Sequence, residues 1–345
     1  MEELIIRLRL DNKQVIKEKP TEKYSRLGGR SLTSEIITSE VPAEIEPLDK
    51  GNKMVFATGL LTGVNASSVH RLSLGSVSPL TGGIKESNSG GTFGLSMALQ
   101  GIKALVLEGK SEEPCIIKIN DGKIDFLTTN NYRGLGAIET GKRLREDFGD
   151  KIDFLCLGPT GERMLLASAI VVSDQDGVAA RHLGRGGLGA VMGSKNVKAI
   201  VINSSRRYKK GANPKELKGN VKEYLKLLAT AAMVDTTNAL EGMPTNNFRY
   251  GSHEKASQIN GISMRKMIEK REGNISHACM PGCTIKCSNV YRGIDGKEVV
   301  RSLEYETIVL CGSNLGIFDL DKIAVINARI NDLGLDSIDT GGALI

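Results

Sequence analysis

The sequence predicts an α+β protein in which a β-rich N-terminal domain is followed by a mainly α-helical domain. Over the first half of the chain, short runs of β-branched and other apolar residues alternate with turn signals. Beyond residue 214 the apolar residues instead recur with the helical period of about 3.6 residues. The polar and basic stretch "SSRRYKKGANP", residues 204–214, separates the two patterns. We therefore predict a first domain over residues 1–205, a linker over 206–214 and a second domain over 215–345.

Six strands are predicted in the first domain. They are "LIIRLRL" (4–10), "KMVFATG" (53–59), "ALVLEG" (104–109), "CIIKI" (115–119), "DFLCLG" (153–158) and "VKAIVIN" (197–203). A helical pattern at residues 136–147 lies between two of them. This region is therefore expected to contain considerable β-sheet together with short helices.

Two helices are predicted in the second domain. Asn213 and Pro214 form an N-cap and first-turn pair, and the apolar residues after them line one helical face. A second helix begins after Asp319, a capping residue, and ends near Gly334. The segment "HACMPGCTIKC", residues 277–287, is accordingly expected on a loop between helices.

Composition limits the classes of function. The net charge of +6 is modest, and no stretch approaches the roughly 20 apolar residues of a membrane span. The N-terminus is too short and too charged for a signal peptide, and three of the six cysteines are scattered through apolar runs. These features predict a cytoplasmic protein that binds neither nucleic acid nor membrane.

Glycine is unusually frequent, with 40 of 345 residues against a typical share of about 7%. Many of these glycines cluster between residues 59 and 193, where a missing side chain lets the backbone approach another group closely. One interpretation is a turn-rich β protein. The other is a large, flat ligand lying against the main chain.

Three cysteines with the spacing C-x3-C-x3-C, Cys279, Cys283 and Cys287, are the strongest candidates for a metal site. Three thiolates on a short loop can hold three corners of an iron–sulfur cluster, with a fourth ligand from elsewhere. Zinc is the main alternative because His277 is close by, although the C-x2-C pairs of structural zinc sites are absent from the sequence. Unliganded thiols are a third interpretation.

A glycine-rich segment, "ARHLGRGGLGAVMGSKN" at residues 180–196, contains the pattern G-x-G-x-x-G. No clean hydrophobic strand precedes it in the sequence, so we do not interpret it as a dinucleotide fingerprint. The segment carries the cations Arg181, Arg185 and Lys195. Exposed amides and cations suit an organic phosphate, and a tight turn with surface charges is the alternative.

Two further segments carry candidate side chains. The stretch at residues 70–94 contains Arg71 and Asn88 among many Ser and Gly residues. This composition again indicates main chain exposed to a ligand. "SLEYETI", residues 302–308, places Glu304 and Glu306 on one side if the segment is extended. A carboxylate near a metal or cluster could carry a proton, and two solvent-exposed glutamates are the alternative.

Taken in chain order, "SPLTGG", "NSGGTFG", "GRGGLGAVMGSKNVKAI", "CMPGCTIKC", "EYETI" and "NDLGLDSIDTGG" resemble the tungsten-dependent aldehyde:ferredoxin oxidoreductases. The resemblance covers essentially the whole chain. It implies a β-rich N-terminal domain on which two metallopterin molecules lie, covered by mostly helical domains. It also implies a tungsten or molybdenum atom held by the pterin dithiolenes, Mg²⁺ bridging the pterin phosphates, and a four-iron four-sulfur (4Fe-4S) cluster nearby.

The resemblance assigns roles to individual residues. Those implied to bind the pterin cofactor are Arg71, Asn88, Gly90, Arg181, Leu183 and Asp336. Asn88 would be associated with the ion bridging the two phosphates, and Leu183 would act only through its main-chain carbonyl. Cys279, Cys283 and Cys287 match the three cluster ligands, and Glu306 matches an acid beside the metal.

The sequence also departs from the family pattern. Many members have C-x2-C-x3-C, and Asn331 stands at the first acidic position of the pterin motif. The second pterin motif, the fourth cluster cysteine and the active-site histidine belong to a C-terminal domain that this sequence lacks, and Cys311 does not match that cysteine. The apolar final segment "GLDSIDTGGALI" favours a fragment or a split gene.

The implied activity is oxidation of an aldehyde and water to a carboxylic acid, with two electrons passing through the cluster to ferredoxin. One alternative is a cofactor-binding fragment that is inactive without a separately encoded C-terminal half. Another is a family member that acts on a different substrate. The expected partners are ferredoxin and a small aldehyde. A separately encoded C-terminal half and a second copy of the chain, in a homodimer, are further candidate partners, and the sequence does not specify the oligomeric state.

Overall fold

The computed structural model of the chain describes residues 3–129, 131–203, 215–231 and 242–345. They form two compact units: the first comprises Met1–Ala212 with Asp332–Leu335, and the second Asn213–Asn331 with Asp336–Ile345. The first unit is rich in sheet and the second is mainly helical, which confirms the α+β class. The predicted linker at 206–214 and the Asn213–Pro214 cap lie outside the described residues.

The first unit contains two six-stranded sheets. The first sheet consists of β1 (Leu4–Arg9), β2 (Gln14–Glu18), β3 (Met54–Thr58), β4 (Leu72–Val77), β5 (Ile84–Ser89) and β6 (Ile102–Glu108), in the order β2-β1-β6-β3-β4-β5. The second consists of β7 (Cys115–Asn120), β8 (Lys123–Thr128), β9 (Ile152–Leu157), β10 (Ile170–Ser173), β11 (Ala179–Leu183) and β12 (Val197–Asn203), in the order β11-β10-β9-β12-β7-β8. All six predicted strands are present.

Helices cover both sheets of this unit. They are α1 (Glu22–Ser25), α2 (Gly29–Glu40), α3 (Phe93–Leu99), α4 (Ala137–Phe148), α5 (Pro159–Glu162) and α6 (Leu188–Ser194). The two sheets share one apolar core, to which Phe56 of the first and Leu155 of the second contribute. On the opposite faces, α2 packs on the first sheet through Leu32, and α4 packs on the second through Leu144. The helix predicted at 136–147 is confirmed as α4.

The second unit contains helices and one small sheet. Its elements are α7 (Lys215–Thr230), α8 (Gly261–Lys270), β13 (Asn274–His277), β14 (Ser288–Arg292), β15 (Glu298–Arg301), α9 (Tyr305–Cys311), α10 (Leu320–Leu333) and α11 (Ser337–Ala343). The three strands form an antiparallel sheet in the order β13-β14-β15. The segment 277–287 therefore connects two strands, and its prediction as a loop between helices is wrong. The sequence pattern did not predict these strands, because β13 and β14 are short and about half of their residues are polar.

The predicted helix after Asp319 is confirmed as α10. Asp319 Oδ1 accepts the main-chain N–H groups of Asp321 at 2.9 Å and Lys322 at 3.2 Å, which satisfies donors that a helix start leaves unpaired. Gly334 follows the helix with φ of +75°, a conformation that favours glycine. In the described parts of the chain, none of the helices has the length and apolar character needed to span a bilayer.

Candidate functional site

Arg71 and Asn88 lie together at the end of the β4–β5 pair. The Arg71 guanidinium donates from Nε to Asn88 Oδ1, and from Nη2 to the Asn88 main-chain oxygen at 3.3 Å. Asn88 Nδ2 donates to Ser73 Oγ at 3.1 Å and to Glu86 Oε1 at 3.3 Å. These bonds hold the solvent-exposed guanidinium in one orientation at this edge of the first sheet.

Gly90 is buried in a segment where the backbone approaches β10 closely. A Cβ added to the next residue, Gly91, would lie 2.5 Å from the main-chain oxygen of Ser173, and Gly91 has φ of +92°. Ser89 Oγ is buried and has no hydrogen-bond partner among the described residues. The strand end beside Asn88 thus combines a tightly packed backbone with a hydroxyl that can still bind a polar group.

Arg181 and Leu183 lie on β11, the edge strand of the second sheet. β11 contacts β5, the edge strand of the first sheet, so the structure brings both residues to the edge that carries Arg71 and Asn88. Arg181 is only 6% exposed. The Leu183 side chain is in the core between the sheets, so its main chain is the part that could contact a ligand.

The glycine-rich segment also lies here, because β11 precedes it and α6 follows it. The strand that precedes the G-x-G-x-x-G pattern, "AARHL", contains two polar residues, which agrees with the expectation that no clean hydrophobic strand lies there. β11 pairs antiparallel with β10 and does not pair with β12. A dinucleotide fingerprint needs a parallel βαβ unit, so this interpretation is still excluded.

Lys195 does not contribute to this edge. Its side chain is fully buried, and Nζ donates to the main-chain oxygens of Asn52, Gly109 at 3.1 Å and Lys50 at 3.5 Å. Burial lowers the pKa of this ammonium to about 8. The expectation that Lys195 helps to bind an anion is therefore wrong, and the residue instead ties three backbone segments together.

In the second unit, the segment with Cys279, Cys283 and Cys287 spans from β13 to β14. Cys279 is half-buried, Cys283 is buried and Cys287 is exposed, and none of the three forms a disulfide. Two residues of the loop, Gly282 and Lys286, have positive φ, so the chain turns sharply before two of the cysteines. The loop is thus folded back on itself with the three thiols at different depths.

The donor atoms of this loop indicate which kind of metal group it could hold. The donors on this loop are the three thiols of Cys279, Cys283 and Cys287. Tetrahedral zinc with Zn–S bonds of about 2.3 Å would hold its sulfurs only about 3.8 Å apart. A cluster spaces its thiolates more widely because each sulfur binds a different iron. Three thiols at different depths on one loop provide the donor set of a cluster, which takes its fourth ligand from elsewhere.

A cavity of about 240 Å³ in the second unit joins the cysteine loop to the predicted acidic residues. Its polar lining consists of Arg265, Cys287, Asn289, Glu304, Tyr305 and Glu306, and the rest is mainly apolar, with Met264 and Ile268 from α8. The structure thus places one predicted cluster ligand and the predicted proton carrier, Glu306, in the same cavity. Such a mostly apolar pocket with a few converging polar groups is typical of a ligand site.

Glu304 and Glu306 are not on an extended segment, contrary to the sequence interpretation. Glu304 is the N-cap residue of α9, and Glu306 lies exposed in its first turn. Ser288 Oγ donates to Glu304 Oε1 at 3.1 Å, and the Asn289 side chain bonds both main-chain groups of Leu303. These bonds tie the start of α9 to the strand that follows Cys287.

Asp336 is 6% exposed and is the N-cap residue of α11, where its carboxylate accepts the Ile338 N–H at 3.1 Å. In the same helix, Asp339 Oδ2 and Thr340 Oγ1 are buried with no hydrogen-bond partner in the described parts of the chain. The helix packs closely on α9, since a Cβ at Gly341 would lie 2.7 Å from the Leu310 main-chain oxygen. Asp336 is thus part of a polar segment with acceptors left over for a ligand.

Three residues of the cavity were not predicted from the sequence: Arg265, Asn289 and Tyr305. Arg265 lies on α8 without any motif around it, and Asn289 is one polar residue in a short strand. Tyr305 donates through its hydroxyl to the Gly242 main-chain oxygen at 3.0 Å, and burial raises its pKa. No sequence signal marks these three, because only the fold brings them to the cysteine loop.

Family profiles identify the class of protein. Residues 5–204 match the profile of the aldehyde ferredoxin oxidoreductase N-terminal domain, and residues 208–344 match that of domains 2 and 3 of the same enzymes. The chain belongs to the aldehyde ferredoxin oxidoreductase family. This confirms the resemblance seen in the sequence motifs.

Individual relatives make the match more specific. The tungsten-containing aldehyde ferredoxin oxidoreductases of Pyrococcus furiosus and Pyrococcus horikoshii are both 33% identical, covering 98% and 99% of this chain. An aliphatic sulfonate oxidoreductase, WOR-like subunit, of Pyrococcus furiosus is 26% identical over 92% of the chain. The chain spans 57% of the length of the first two and 54% of the third.

A solved structure has the same fold. The active-site complex BamBC of benzoyl coenzyme A reductase, in complex with 1,5-dienoyl-CoA, superposes with a TM-score of 0.80 at 22% identity. The match covers 97% of this chain and 53% of that one. It supports the architecture described above.

Proposed function

We propose that this chain supplies the cofactor-binding part of an oxidoreductase that converts an aldehyde and water to a carboxylic acid and passes the electrons to ferredoxin. The observation that carries the proposal is the cavity shared by Cys287, Glu304 and Glu306. The names of the two 33% identical relatives support tungsten and an aldehyde substrate. The cofactors we assign are a bis-metallopterin with tungsten or molybdenum, Mg²⁺ bridging the pterin phosphates, and a 4Fe-4S cluster.

The edge of the first unit fits a phosphorylated pterin. Arg71 and Arg181 provide guanidinium groups for phosphate, and Asn88 provides an amide next to them. Ser89 Oγ is a buried hydroxyl still lacking a partner among the described residues, and a ligand group would satisfy it. In the second unit, the unsatisfied oxygens of Asp339 and Thr340 next to Asp336 suit the donor groups of a pterin ring.

The cysteine loop fits a cluster better than a single ion. Its donor set is three thiols, and the C-x2-C pairs of structural zinc sites are absent from the sequence. Cys279, Cys283 and Cys287 would hold three corners of the 4Fe-4S cluster. When bound, the metallopterin and the cluster supply two-electron oxidation and one-electron transfer, while the protein supplies position and electrostatics.

Glu306 is the proposed proton carrier. It lies in the cavity with Cys287, and its exposure allows exchange of a proton with solvent. The start of α9 is fixed by the Ser288–Glu304 and Asn289–Leu303 bonds, so the carboxylate of Glu306 is held on a rigid element. Oxidation of a hydrated carbonyl releases protons, and a carboxylate within reach accelerates such a transfer.

Glu306→Gln is expected to lower the rate of aldehyde-dependent dye reduction by about 10²- to 10⁴-fold, the usual contribution of general acid–base catalysis. The change removes the proton-accepting oxygen but keeps the size of the side chain. Steady-state kinetics across the pH range would measure it, with iron and tungsten content determined on the same samples.

Glu269→Gln is the matched control for this variant, because Glu269 is an exposed glutamate of α8 that does not line the cavity. It should retain the full rate. Equal rates for Glu306→Gln and the wild type, with metals bound in both, would contradict the role of Glu306. If the loaded wild-type chain shows no aldehyde-dependent reduction at all, its function is limited to cofactor binding.

A basic groove on α8 supports ferredoxin as the electron acceptor. Lys266, Lys270 and Arg271 line this groove of the second unit, whereas Arg265 of the same helix lines the cavity with Cys287. Arg271 is neutralised by Asp321, but Lys266 and Lys270 form no salt bridge in the described residues. Ile294, 86% exposed, adds an apolar contact at the groove. Such a surface suits an acidic electron-carrier protein.

Lys266→Glu/Lys270→Glu is expected to raise the KM for ferredoxin about tenfold at low salt, because two attractive charges become repulsive. Rates with a small artificial acceptor should not change. Lys218→Glu/Lys222→Glu, an equally spaced pair of exposed lysines on α7, is the matched control. An identical KM for both double variants would contradict docking at the α8 groove.

A different substrate is the second candidate function. The match to an aliphatic sulfonate oxidoreductase subunit favours it, because that relative is named for an anionic substrate. Arg265 would supply a cation for such a substrate, since it lines the same cavity as Glu306. A comparison of kcat/KM for uncharged and anionic substrates in the wild type and in Arg265→Gln distinguishes the two.

A further inference from the structure

A second cavity, of about 320 Å³, lies entirely within the first unit and is not part of the edge that carries Arg71 and Arg181. It is bordered by α5, by the start of β12 and by the loop before α4. Its apolar wall consists of Pro114, Leu157, Pro159 and Val197. The volume is at the lower end of the range for small-molecule sites, about 300–1,000 Å³.

Glu162 organises this cavity. Its carboxylate accepts the main-chain N–H of Gly134, with distances of 3.2 Å to Oε1 and 2.9 Å to Oε2, and a hydrogen bond from the Lys198 ammonium. Arg133 immediately precedes Gly134, and Arg163 immediately follows Glu162. A single carboxylate therefore fixes the two backbone segments that carry these arginines to one cavity.

The charge of Glu162 is already balanced by Lys198, which is 3% exposed and also donates to the main-chain oxygens of Leu135 at 3.1 Å and Leu157 at 2.7 Å. All three donors of that ammonium are used. The side chains of Arg133 and Arg163, in contrast, have no salt bridge or hydrogen bond in the described part of the chain. The cavity therefore carries an excess of two positive charges.

Another groove of the same unit shows that this excess is not a general property of its surface. That groove is lined by the three lysines Lys50, Lys53 and Lys110 together with the three acids Asp11, Glu108 and Glu112. Two guanidinium groups at one cavity repel each other unless an anion lies between them. Their planar donors fit carboxylate or phosphate oxygens in a bidentate manner.

Asn196 adds a hydrogen-bond acceptor to this cavity, whereas the two arginines are donors. Its Nδ2 donates to the main-chain oxygens of Ser111 at 2.7 Å and Glu112 at 3.4 Å, which leaves Oδ1 without a partner in the described residues. That oxygen can accept a hydrogen bond from a ligand hydroxyl. We infer that this cavity binds a small hydroxylated phosphomonoester, with the phosphate on Arg133 and Arg163 and a hydroxyl on Asn196.

Calorimetric titration of the whole chain with ribose 5-phosphate, inorganic phosphate and ribose tests this inference. The expected result is saturable binding of one ribose 5-phosphate per chain, more tightly than either of the other two. Arg133→Gln and Arg163→Gln should each raise the Kd by at least about tenfold, the loss of a hydrogen bond to a charged group. Both arginines are exposed, so these variants should fold.

The charge-matched control is Lys142→Gln, which removes an exposed cation of α4 that does not line the cavity. It should bind ribose 5-phosphate with the Kd of the wild type. The inference is overturned if the wild type shows no binding at millimolar concentration, if inorganic phosphate binds equally well, or if the control loses as much affinity as the arginine variants. The pterin edge of the first unit is unchanged in all of these variants, so the proposed enzymatic function is tested separately.

Discussion

Replacing Cys283 by serine is expected to reduce the iron bound per chain from about four atoms to near zero. Cys283 is the middle residue of the three predicted ligands, and its buried position allows no other side chain of the loop to take its place. A cluster held by two thiols of one loop loses most of its binding energy, because each thiolate binds a separate iron. Iron, tungsten, molybdenum and zinc would be counted on protein purified without oxygen.

Two further variants make this result specific. Cys287→Ser should lose iron to the same extent. Because Cys287 is exposed, its replacement should leave the fold intact, so a loss of iron would report the loss of a ligand. Cys311→Ser should keep its iron, because Cys311 is buried at the end of α9 and burial raises the pKa of its thiol to about 11. One zinc per wild-type chain, or full iron in Cys283→Ser, would show that the loop does not hold a cluster.

The strands of the first unit could be predicted because burial on both faces leaves continuous apolar runs such as "CIIKI" and "VKAIVIN". β5, "IKESNS", and β11, "AARHL", could not, since they are edge strands with polar residues. These two strands carry Asn88, Arg181 and Leu183. The elements that form the candidate site are thus the ones with the weakest sequence pattern, because their polar residues serve a site and not the core.

The cysteine loop also shows that the sequence revealed the ligands but not the elements that hold them. The spacing of Cys279, Cys283 and Cys287 could be recognised, since metal ligands are chemically distinctive. The strands β13 and β14 that hold the loop could not, because they have four and five residues and little alternation. Glu306 was one of two glutamates singled out in the sequence, and only the family resemblance preferred it to Glu304. Its place in a helix turn beside Cys287 depends on Asn289 bonding the backbone of Leu303.

Lys195 shows that a lysine in a glycine-rich segment can be either an exposed cation or a buried residue that binds main-chain oxygens. A lysine within a glycine-rich segment suggests an exposed cation for phosphate, and charged side chains are rarely fully buried. Here the ammonium is enclosed by three main-chain oxygens, which compensate for lost water. The sequence contains no sign of this arrangement, because the acceptors come from segments about 85 and 145 residues away along the chain.

Lys195→Met is therefore expected to lower the free energy of unfolding by about 3 kcal/mol, because the oxygens of Asn52 and Gly109 lose a partner in a dry environment. Lys110→Met, an exposed lysine of the adjacent loop, should change the free energy by less than about 0.5 kcal/mol. Denaturant unfolding followed by circular dichroism would measure both, since the chain contains no tryptophan. Equal stability of the two variants would show that Lys195 is not a structural tie.

The pH dependence provides an independent test of the buried charge. The pKa of Lys195 is lowered from 10.5 to about 8 in the folded chain, with burial as the main cause. Below pH 8 the folded chain carries the buried charge, and its stability is lowered by the full cost of burying it. Between about pH 8 and pH 10.5 the folded chain loses this proton while the unfolded chain still binds it, so the cost decreases as the pH rises. The stability difference between the wild type and Lys195→Met should accordingly grow over that interval. A constant difference between pH 7 and pH 10 would mean that the hydrogen bonds to the three oxygens fully offset the desolvation of the ammonium.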